Sequence, residues 1–317
     1  MPNLKDIRRR IRSVKSTQKI TQAMRMVAAA KVKRAENRVK AARPYSWALQ
    51  DVFTDVYNAL KDHVKSLEGS RYIELLYPRK VKTVGIVVIS SDRGLCGAYN
   101  SAIIRKGLQL EKALVEKGIT PKFYLVGSKA ITAFKRYSKA ESLGKISNMT
   151  AAPSIQDADT IAETLVKAFT SGEIDSIEVL STHFKSMVSF NIEMTPLIPV
   201  KGQIKEYTQE ILPEASHVSE DITAHEDAPK IRPELQLEPD ASQTLDQLVP
   251  MYLSNSLYIL LLEAAASELA SRMTAMTNAT NNASDMIDRL SIQYNKARQA
   301  SITQEILEVV GGAEAIQ

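Results

Sequence analysis

Two heptad seams, one at each end of the chain, restrict what this sequence can fold into. Near the N-terminus, Leu4, Ile7, Ile11, Val14, Gln18, Thr21, Arg25, Ala28, Val32, Ala35, Val39 and Ala42 recur at alternating spacings of three and four. That is the a/d pattern of a coiled coil, with a polar middle at Gln18, Thr21 and Arg25. Pro44 reads as its stop. At about 1.5 Å per residue, residues 4–42 rise about 59 Å, far more than the usual globular helix, so the helix requires a partner. The partner is at the other end: Leu262, Ala266, Leu269, Met273, Met276, Thr280, Ala283, Ile287, Leu290, Tyr294, Ala297 and Ser301 repeat the spacing. This second helix is expected from Leu257 to Val310, ending at Gly311-Gly312. Two long seams around a folded insert pair most simply as an antiparallel coiled coil. The longer helix must then outrun its partner. Many seam residues are Ala, Ser or Thr, which lets the helices approach closely and keeps the rod slim.

Between the seams the pattern changes to alternating strand and helix. Thr83–Ser90 is a β-branched run of the buried-strand type, and residues 99–117 form a helix ending at Gly118. A strand over Lys122–Val126, a helix from Ser128 to Tyr137 and an amphipathic helix over Ile155–Ser171 follow. Ser176–Phe184 and Val188–Val200 read as a hairpin turning at Lys185–Met187. The order β-α-β-α-α-β-β predicts a small α/β sandwich with a mostly parallel sheet. The fold class is therefore α+β: a long antiparallel coiled coil carrying an inserted Rossmann-like α/β domain. We divide the chain into an N-terminal coil helix (1–60), the α/β domain (75–200), an acidic loop (201–240) and a C-terminal coil helix (245–317).

Charge is distributed unevenly. Of 317 residues, 41 are Lys or Arg and 36 Asp or Glu. Residues 1–43 hold 14 basic and 2 acidic side chains, a net of +12, whereas residues 201–240 hold 4 and 10, a net of −6. That acidic stretch also carries Pro213, Pro229, Pro233 and Pro239 and lacks periodicity, so it reads as an exposed loop. The basic arm, with Arg8, Arg9, Arg10 and Arg12, has three readings: a solvated coil face, a nucleic-acid surface, or a rod lying against acidic protein surfaces. Because the arm is committed to an intramolecular seam, we favour the protein partner. The start has the Arg-rich, acid-poor composition of an organellar transit peptide, but its helical pattern continues past residue 40, so we read it as part of the folded helix. No secretory signal is visible, and the most apolar runs, Val84–Ile89 and Leu257–Leu262, are far shorter than a bilayer span.

An α/β insert invites an enzymatic reading, and the sequence offers little for one. There is no GxxxxGK[ST] phosphate cradle, and the turn Ser91-Asp92-Arg93-Gly94-Leu95-Cys96-Gly97 has GxxG where a dinucleotide site needs GxGxxG. Cys96, the single cysteine, excludes an internal disulfide and a four-cysteine zinc site. It could be a nucleophile near a helix N-terminus, or a small buried residue in a tight turn, and we favour the turn. His63, His183, His217 and His225 show no metal-binding spacing. We expect no catalytic residue, metal or cofactor.

Three longer motifs decide among these readings. KSTQKITQAMRMVAAAK (15–31), SSDRGLCGAYN (90–100) and YNKARQASITQEILEVVGGAEA (294–315) strongly resemble the gamma subunit of F-type ATP synthases, and the likeness covers the whole chain in order. The resemblance implies a non-catalytic central rotor shaft. Its coil would sit inside a ring of three alpha and three beta subunits. Its α/β domain would meet the epsilon subunit and the membrane-embedded c-ring, with delta engaged only indirectly and no nucleic acid bound. Proton flow would turn the c-ring and shaft, whose angle selects the state of each beta site. By the same resemblance, Arg298, Gln299 and Thr303 bond a loop of beta, and Met24 and Arg25 lie beside its acidic lever segment. Cys96 and Glu238 belong to the foot that faces the c-ring and epsilon.

One departure from the ordinary bacterial form is informative. Residues Gln203 to Arg232 look inserted, as in photosynthetic gamma subunits. The chloroplast version carries a redox-switching cysteine pair there; this chain carries none. The resemblance therefore implies a cyanobacterial subunit, peripheral on the cytoplasmic side of the thylakoid membrane, with an insertion that restrains ATP hydrolysis.

Overall fold

The structure, a computed structural model, describes residues 4–60, 72–76, 79–186, 189–198 and 241–314. Its chain forms two compact units, residues 1–30 with 272–317, and residues 31–271. Both boundaries fall inside long helices: α1 runs Leu4–Leu60 and α5 runs Ala241–Glu314.

In the first unit the seam governs burial. From Leu4 to Ala30, every a/d residue is buried or half-buried and every other residue except Met24 is exposed. On α5, Met276 and Ala283 are buried, and Thr280, Ile287, Leu290, Tyr294, Ala297 and Ser301 are half-buried at the same spacing. The helices are antiparallel, because Thr280 bonds Thr21 while Tyr294 bonds Arg8. Within the polar middle, Thr21 and Thr280 pair across the seam. Thr280 Oγ1 donates to Thr21 Oγ1 at 2.9 Å, and Thr21 Oγ1 donates to the Gln18 carbonyl at 3.0 Å. A paired hydroxyl in an otherwise apolar seam favours one register over its neighbours. Past Ser301 the burial ends: Ile302, Thr303, Gln304, Glu305, Ile306 and Leu307 are all exposed. Within this unit α5 thus outruns α1, as the unequal helix lengths predict.

The second unit is built on a five-stranded sheet. Its strands are β1 (Thr83–Ile89), β2 (Thr120–Val126), β3 (Glu141–Ile146), β4 (Ser176–Phe184) and β5 (Phe190–Ile198). They lie in the order β3-β2-β1-β4-β5, parallel except for the β4–β5 hairpin. β1 is central and all but its first residue is buried, which is why it reads as an unbroken apolar run. One face packs on α2 (Tyr99–Glu116) and α3 (Ser128–Tyr137), through Val84, Ile86 and Val88 against Ile103, Leu110 and Phe134. Gly107 allows that closeness, since a Cβ there would stand 2.8 Å from the Phe134 ring. The other face, through Val87 and Ile89, packs on α4 (Ile155–Thr170) and on both long helices.

Four sequence expectations need correction here. α1 does not stop at Pro44 but runs through it to Leu60. Proline inside a helix costs about 3 kcal/mol, yet Leu49, Phe53 and Val56 beyond it are buried in the sheet-facing core, and Pro44 itself lies on an exposed face. Burial at about 1.5–3 kcal/mol per large side chain exceeds that cost. α5 likewise begins at Ala241, not Leu257, passes Pro250, buries Leu245, Leu248, Val249 and Leu253, and runs past Gly311-Gly312 to Glu314. The expected strand-helix order also lacked β3. Its sequence, ESLGKI, is charged and half-exposed on a sheet edge, so neither an apolar run nor clean alternation marks it. The C-terminal helix also contains a stretch long and apolar enough to cross a membrane, although the sequence reading found none; 67% of it is buried inside the fold, as in a core helix. The insertion 201–240, Glu238 and His63 lie outside the described residues.

Phe53 is 1% exposed and its ring stacks on Tyr252 with centroids 4.4 Å apart, joining α1 to α5 below the sheet. Phe53→Ala should lower unfolding free energy by about 3–5 kcal/mol in urea titration; a loss near zero would mean that α1 past Pro44 is not held by this core.

Candidate functional site

The turn after β1 is held by side chains that the helices and strands around it position. Ser90 Oγ donates to the Val126 carbonyl at 3.0 Å and accepts from the Ala130 N–H at 2.9 Å, tying β1, β2 and α3 together. Gly127 is required at that crossing: its φ is +91°, and a Cβ would stand 2.7 Å from the Ser90 carbonyl oxygen. Asp92 accepts from the Ser128 N–H (2.9 Å) and hydroxyl (3.0 Å) and from the Thr150 N–H (3.2 Å) and hydroxyl (2.7 Å). Burial pulls the Asp92 carboxyl up, but hydrogen bonds from the Asn148 and Ser128 backbone and from the Thr150 and Ser128 hydroxyls outweigh it and hold the pKa below the ordinary value. The motif's conspicuous polar residues are therefore occupied in building the turn.

Cys96 sits inside that turn and is 2% exposed. Asn100 Nδ2 donates to its sulfur at 3.1 Å, its thiol points to the Arg93 carbonyl at 3.7 Å, and its own carbonyl accepts from Ser271 Oγ at 2.7 Å. A covered thiol with these partners suits the turn reading over the nucleophile.

In an open α/β sheet, ligands bind beyond the carboxyl ends of the strands, where the strand order reverses. Here that point lies between β1 and β4, and α5 occupies it. Tyr99 Oη lies 3.2 Å from Thr182 Oγ1 of β4 and donates to the Ala264 carbonyl of α5 at 3.0 Å. Burial pushes the Tyr99 phenol far above its ordinary pKa. What remains is a small cavity lined by Ile89, Ser90, Tyr99, Thr150, Leu261 and Glu268. Among the described residues no His, Cys, Asp or Glu side chains group as metal ligands.

The surface of the first unit is of a different kind. Arg8, expected on an open basic face, is engaged: Nη2 donates to Tyr294 Oη at 2.6 Å, and its guanidinium stands 5.4 Å from that ring's centroid. Arg9, Arg10 and Arg12 are exposed, Arg9 with Asp6 3.8 Å away. Arg25, on the seam, and Met24, beside it, are half-buried. Arg298, Gln299 and Thr303 are exposed on the bare end of α5, and Thr303 donates back to the Gln299 carbonyl at 3.0 Å. Sequence reasoning missed a set of exposed apolar side chains away from the seam: Ile20, Met26 and Val27 on α1, and Ile292, Ile306 and Val309 on α5. The signal was present, since each is a large hydrophobe off the a/d positions.

Residues 3–316 match the sequence profile described as ATP synthase. The ATP synthase gamma chain of Crocosphaera subtropica is 44% identical, and that of Nostoc punctiforme 43% identical, each alignment covering 100% of both chains. The chain belongs to the ATP synthase gamma-chain family. A chain of the Tetrahymena thermophila mitochondrial ATP synthase central stalk and c-ring matches at 25% identity with a TM-score of 0.58, over 82% of this chain and 99% of that one. A chain of the Euglena gracilis mitochondrial ATP synthase shares the fold, with a TM-score of 0.62 at 18% identity, over 99% and 94%. A gamma subunit is the central-stalk rotor of its synthase, which accounts for a fold whose ligand crevice holds a helix.

Asp92→Asn keeps the shape of the turn but removes the charge that four donors address. We expect a loss of about 1–3 kcal/mol at neutral pH. Because the native pKa is lowered, the parent's contribution is present above the unfolded carboxylate value and fades as pH falls through the folded one. The gap between variant and parent in thermal unfolding should therefore close in acid; a gap that persists unchanged would show that the charge is not what matters.

Proposed function

We propose that this gamma-family chain turns as a shaft inside a ring of three alpha and three beta subunits, carries no catalytic group itself, and couples c-ring rotation to the beta sites. The observation that carries this reading is the bare end of α5. Ile302, Ile306, Leu307 and Val309 are exposed where α1 no longer covers them. Apolar side chains clustered along one free helix end mark a surface that another protein covers. The slim, Ala/Ser/Thr-rich coil suits a close sleeve. In this reading each shaft angle stabilises one conformation of each beta site over the others.

Residue roles follow the same reading. Arg298, Gln299 and Thr303 bond beta at the shaft tip, Met24 and Arg25 face its acidic lever, and Arg9, Arg10 and Arg12 give the shaft a basic flank. Arg8 contributes by closing the coil against Tyr294. The turn that holds Cys96, together with Glu238, belongs to the foot toward epsilon and the c-ring, and delta is reached only indirectly. The complex is membrane-associated through the c-ring, on the cytoplasmic side of a cyanobacterial thylakoid. The insertion Gln203–Arg232 restrains wasteful ATP hydrolysis without a thiol switch, since the chain's one cysteine is at position 96.

The deciding experiment is co-expression with alpha and beta subunits. We expect a stable complex with ATPase activity. Replacing Arg298 and Gln299 together by Ala removes hydrogen bonds of about 0.5–3 kcal/mol each. Turnover should fall while the unfolding midpoint of the isolated chain stays put; unchanged turnover would remove both residues from the beta contact.

A second comparison uses the same complexes. Deleting Gln203–Arg232 should raise ATP hydrolysis, and dithiothreitol should change neither parent nor deletion. Equal rates would leave the segment a passive loop, and a response to reductant would overturn the argument from cysteine count.

A further inference from the structure

One buried carboxylate in the second unit is held between two other elements. Glu263 of α5 is 4% exposed. Its Oε1 accepts from Arg43 Nη2 of α1 at 3.2 Å, and its Oε2 lies 2.6 Å from Nδ1 of His183, near the carboxyl end of β4. A second carboxyl, Glu193 of β5, is 7% exposed. It stands opposite Ser181 in the hairpin register, so it shares a face with His183 one step along the diagonal. The next residue, Phe184, is buried among Val39, Leu262 and Ala266 from the two long helices. Sheet, α1 and α5 therefore meet at a compact group of charges that no part of the rotor reading uses.

With Glu193 ionised, the four charges balance only with a proton on His183. Arg43 and Glu263 cancel, and an ionised Glu193 is cancelled by an imidazolium. Removing that proton leaves one surplus negative charge in a site with little water. Uncompensated buried charge is costly, so the site must either take a proton on Glu193 or admit solvent. We propose that Arg43, Glu263, His183 and Glu193 form a proton-linked clamp that fastens the end of β4 to α1 and α5, tight while His183 is charged and looser once it is neutral.

The direction of the titration agrees. The charged groups facing His183 are Glu263 from α5, Glu193 from β5 and Arg43 from α1. The hydrogen bond to Glu263 raises the imidazole above its ordinary value, against the pull of burial and of Arg43. Burial likewise raises Glu193. A group whose folded pKa is raised adds stability that is complete below its unfolded value and disappears as pH climbs through the folded one. For His183 that decline begins near the ordinary imidazole pKa of about 6.5 and continues upward. Glu193 acts with the same sign from a lower pH. The clamp is therefore firmest in mild acid.

Hydrogen exchange of the full-length chain between about pH 6 and pH 9.5, spanning the imidazole range and above, tests this, with rates corrected for intrinsic base catalysis. Peptides covering 40–46, 181–184 and 260–266 should lose protection severalfold across the range, while β1 stays constant as the internal reference. His183→Gln, which cannot charge, should show no pH response in those peptides. Glu193→Gln should keep the response but shift its midpoint downward, because one carboxylate that favours the imidazolium is gone. Flat protection in the parent, or a response surviving in His183→Gln, overturns the clamp. If His183→Gln fails to fold, the Glu193→Gln midpoint decides: a downward shift supports the clamp, and an unchanged or higher midpoint overturns it.

Discussion

The fold depends on one packing decision: both long helices are part of the α/β domain's own core. Leu49, Phe53 and Val56 of α1 and Leu245, Val249, Leu253 and Leu257 of α5 bury against the sheet face formed by Val87, Ile89, Val179 and Ile177. A helix pair attached by loops alone would be free to pivot on its domain. A pair whose side chains fill the sheet's second hydrophobic layer cannot move at its base without opening a cavity, and close-packed interiors resist that strongly. In a protein whose work is to transmit torque, the base of the coil is where such stiffness matters.

How far the sequence disclosed this differs by element. The seams were legible because a coil with few large residues leaves periodicity as the dominant signal, and on α1 in the first unit burial follows it almost residue by residue. The central strands were legible because β1 and β4 are buried on both faces. Pro44 misled, because a local rule about helix interiors was overridden by tertiary burial on its far side. β3 was illegible because an edge strand needs to satisfy only one neighbour, and Glu141, Gly144 and Lys145 do so without an apolar pattern. Within the same motifs the sequence reading marked Arg298 and Gln299 for their polar chemistry and passed over Ile20, Val27 and Ile306, although each is a large hydrophobe off the seam and exposed.

The two ends of the coil differ in how they are secured, and the sequence composition follows that division. In the first unit the middle of the interface is polar, with Thr21 and Thr280 paired inside it. Polar pairs contribute little net stability but penalise slipped registers, because a slip buries them without partners. In the second unit Val32, Val39, Leu262, Ala266 and Leu269 make an apolar interface that favours association more than it specifies alignment. Alignment there comes from polar pairs between the helices and from the sheet: Asn255 donating to Ser46 at 3.0 Å, and Glu263 held by Arg43 of α1 and His183 of β4.

The insert also shows why a fold is a poor guide to chemistry. Its sheet has the strand order and the reversal point at which many α/β proteins hold a nucleotide. Here Tyr99, in the first turn of α2 after β1, reaches across to Thr182 and to the backbone of α5, and Ser271 of α5 reaches back to the Cys96 carbonyl. A crevice suited to receiving a ligand's polar groups is equally suited to receiving a helix with a few polar atoms on one side. Ala264 and Ala265, which line this crossing, make this possible: larger side chains there would hold α5 too far from the strand ends for Tyr99 to reach the Ala264 carbonyl. Small residues beside the seam thus let α5 occupy the domain's binding crevice, so the long helix and the α/β domain are joined at the point where an enzyme of similar topology would have its active site.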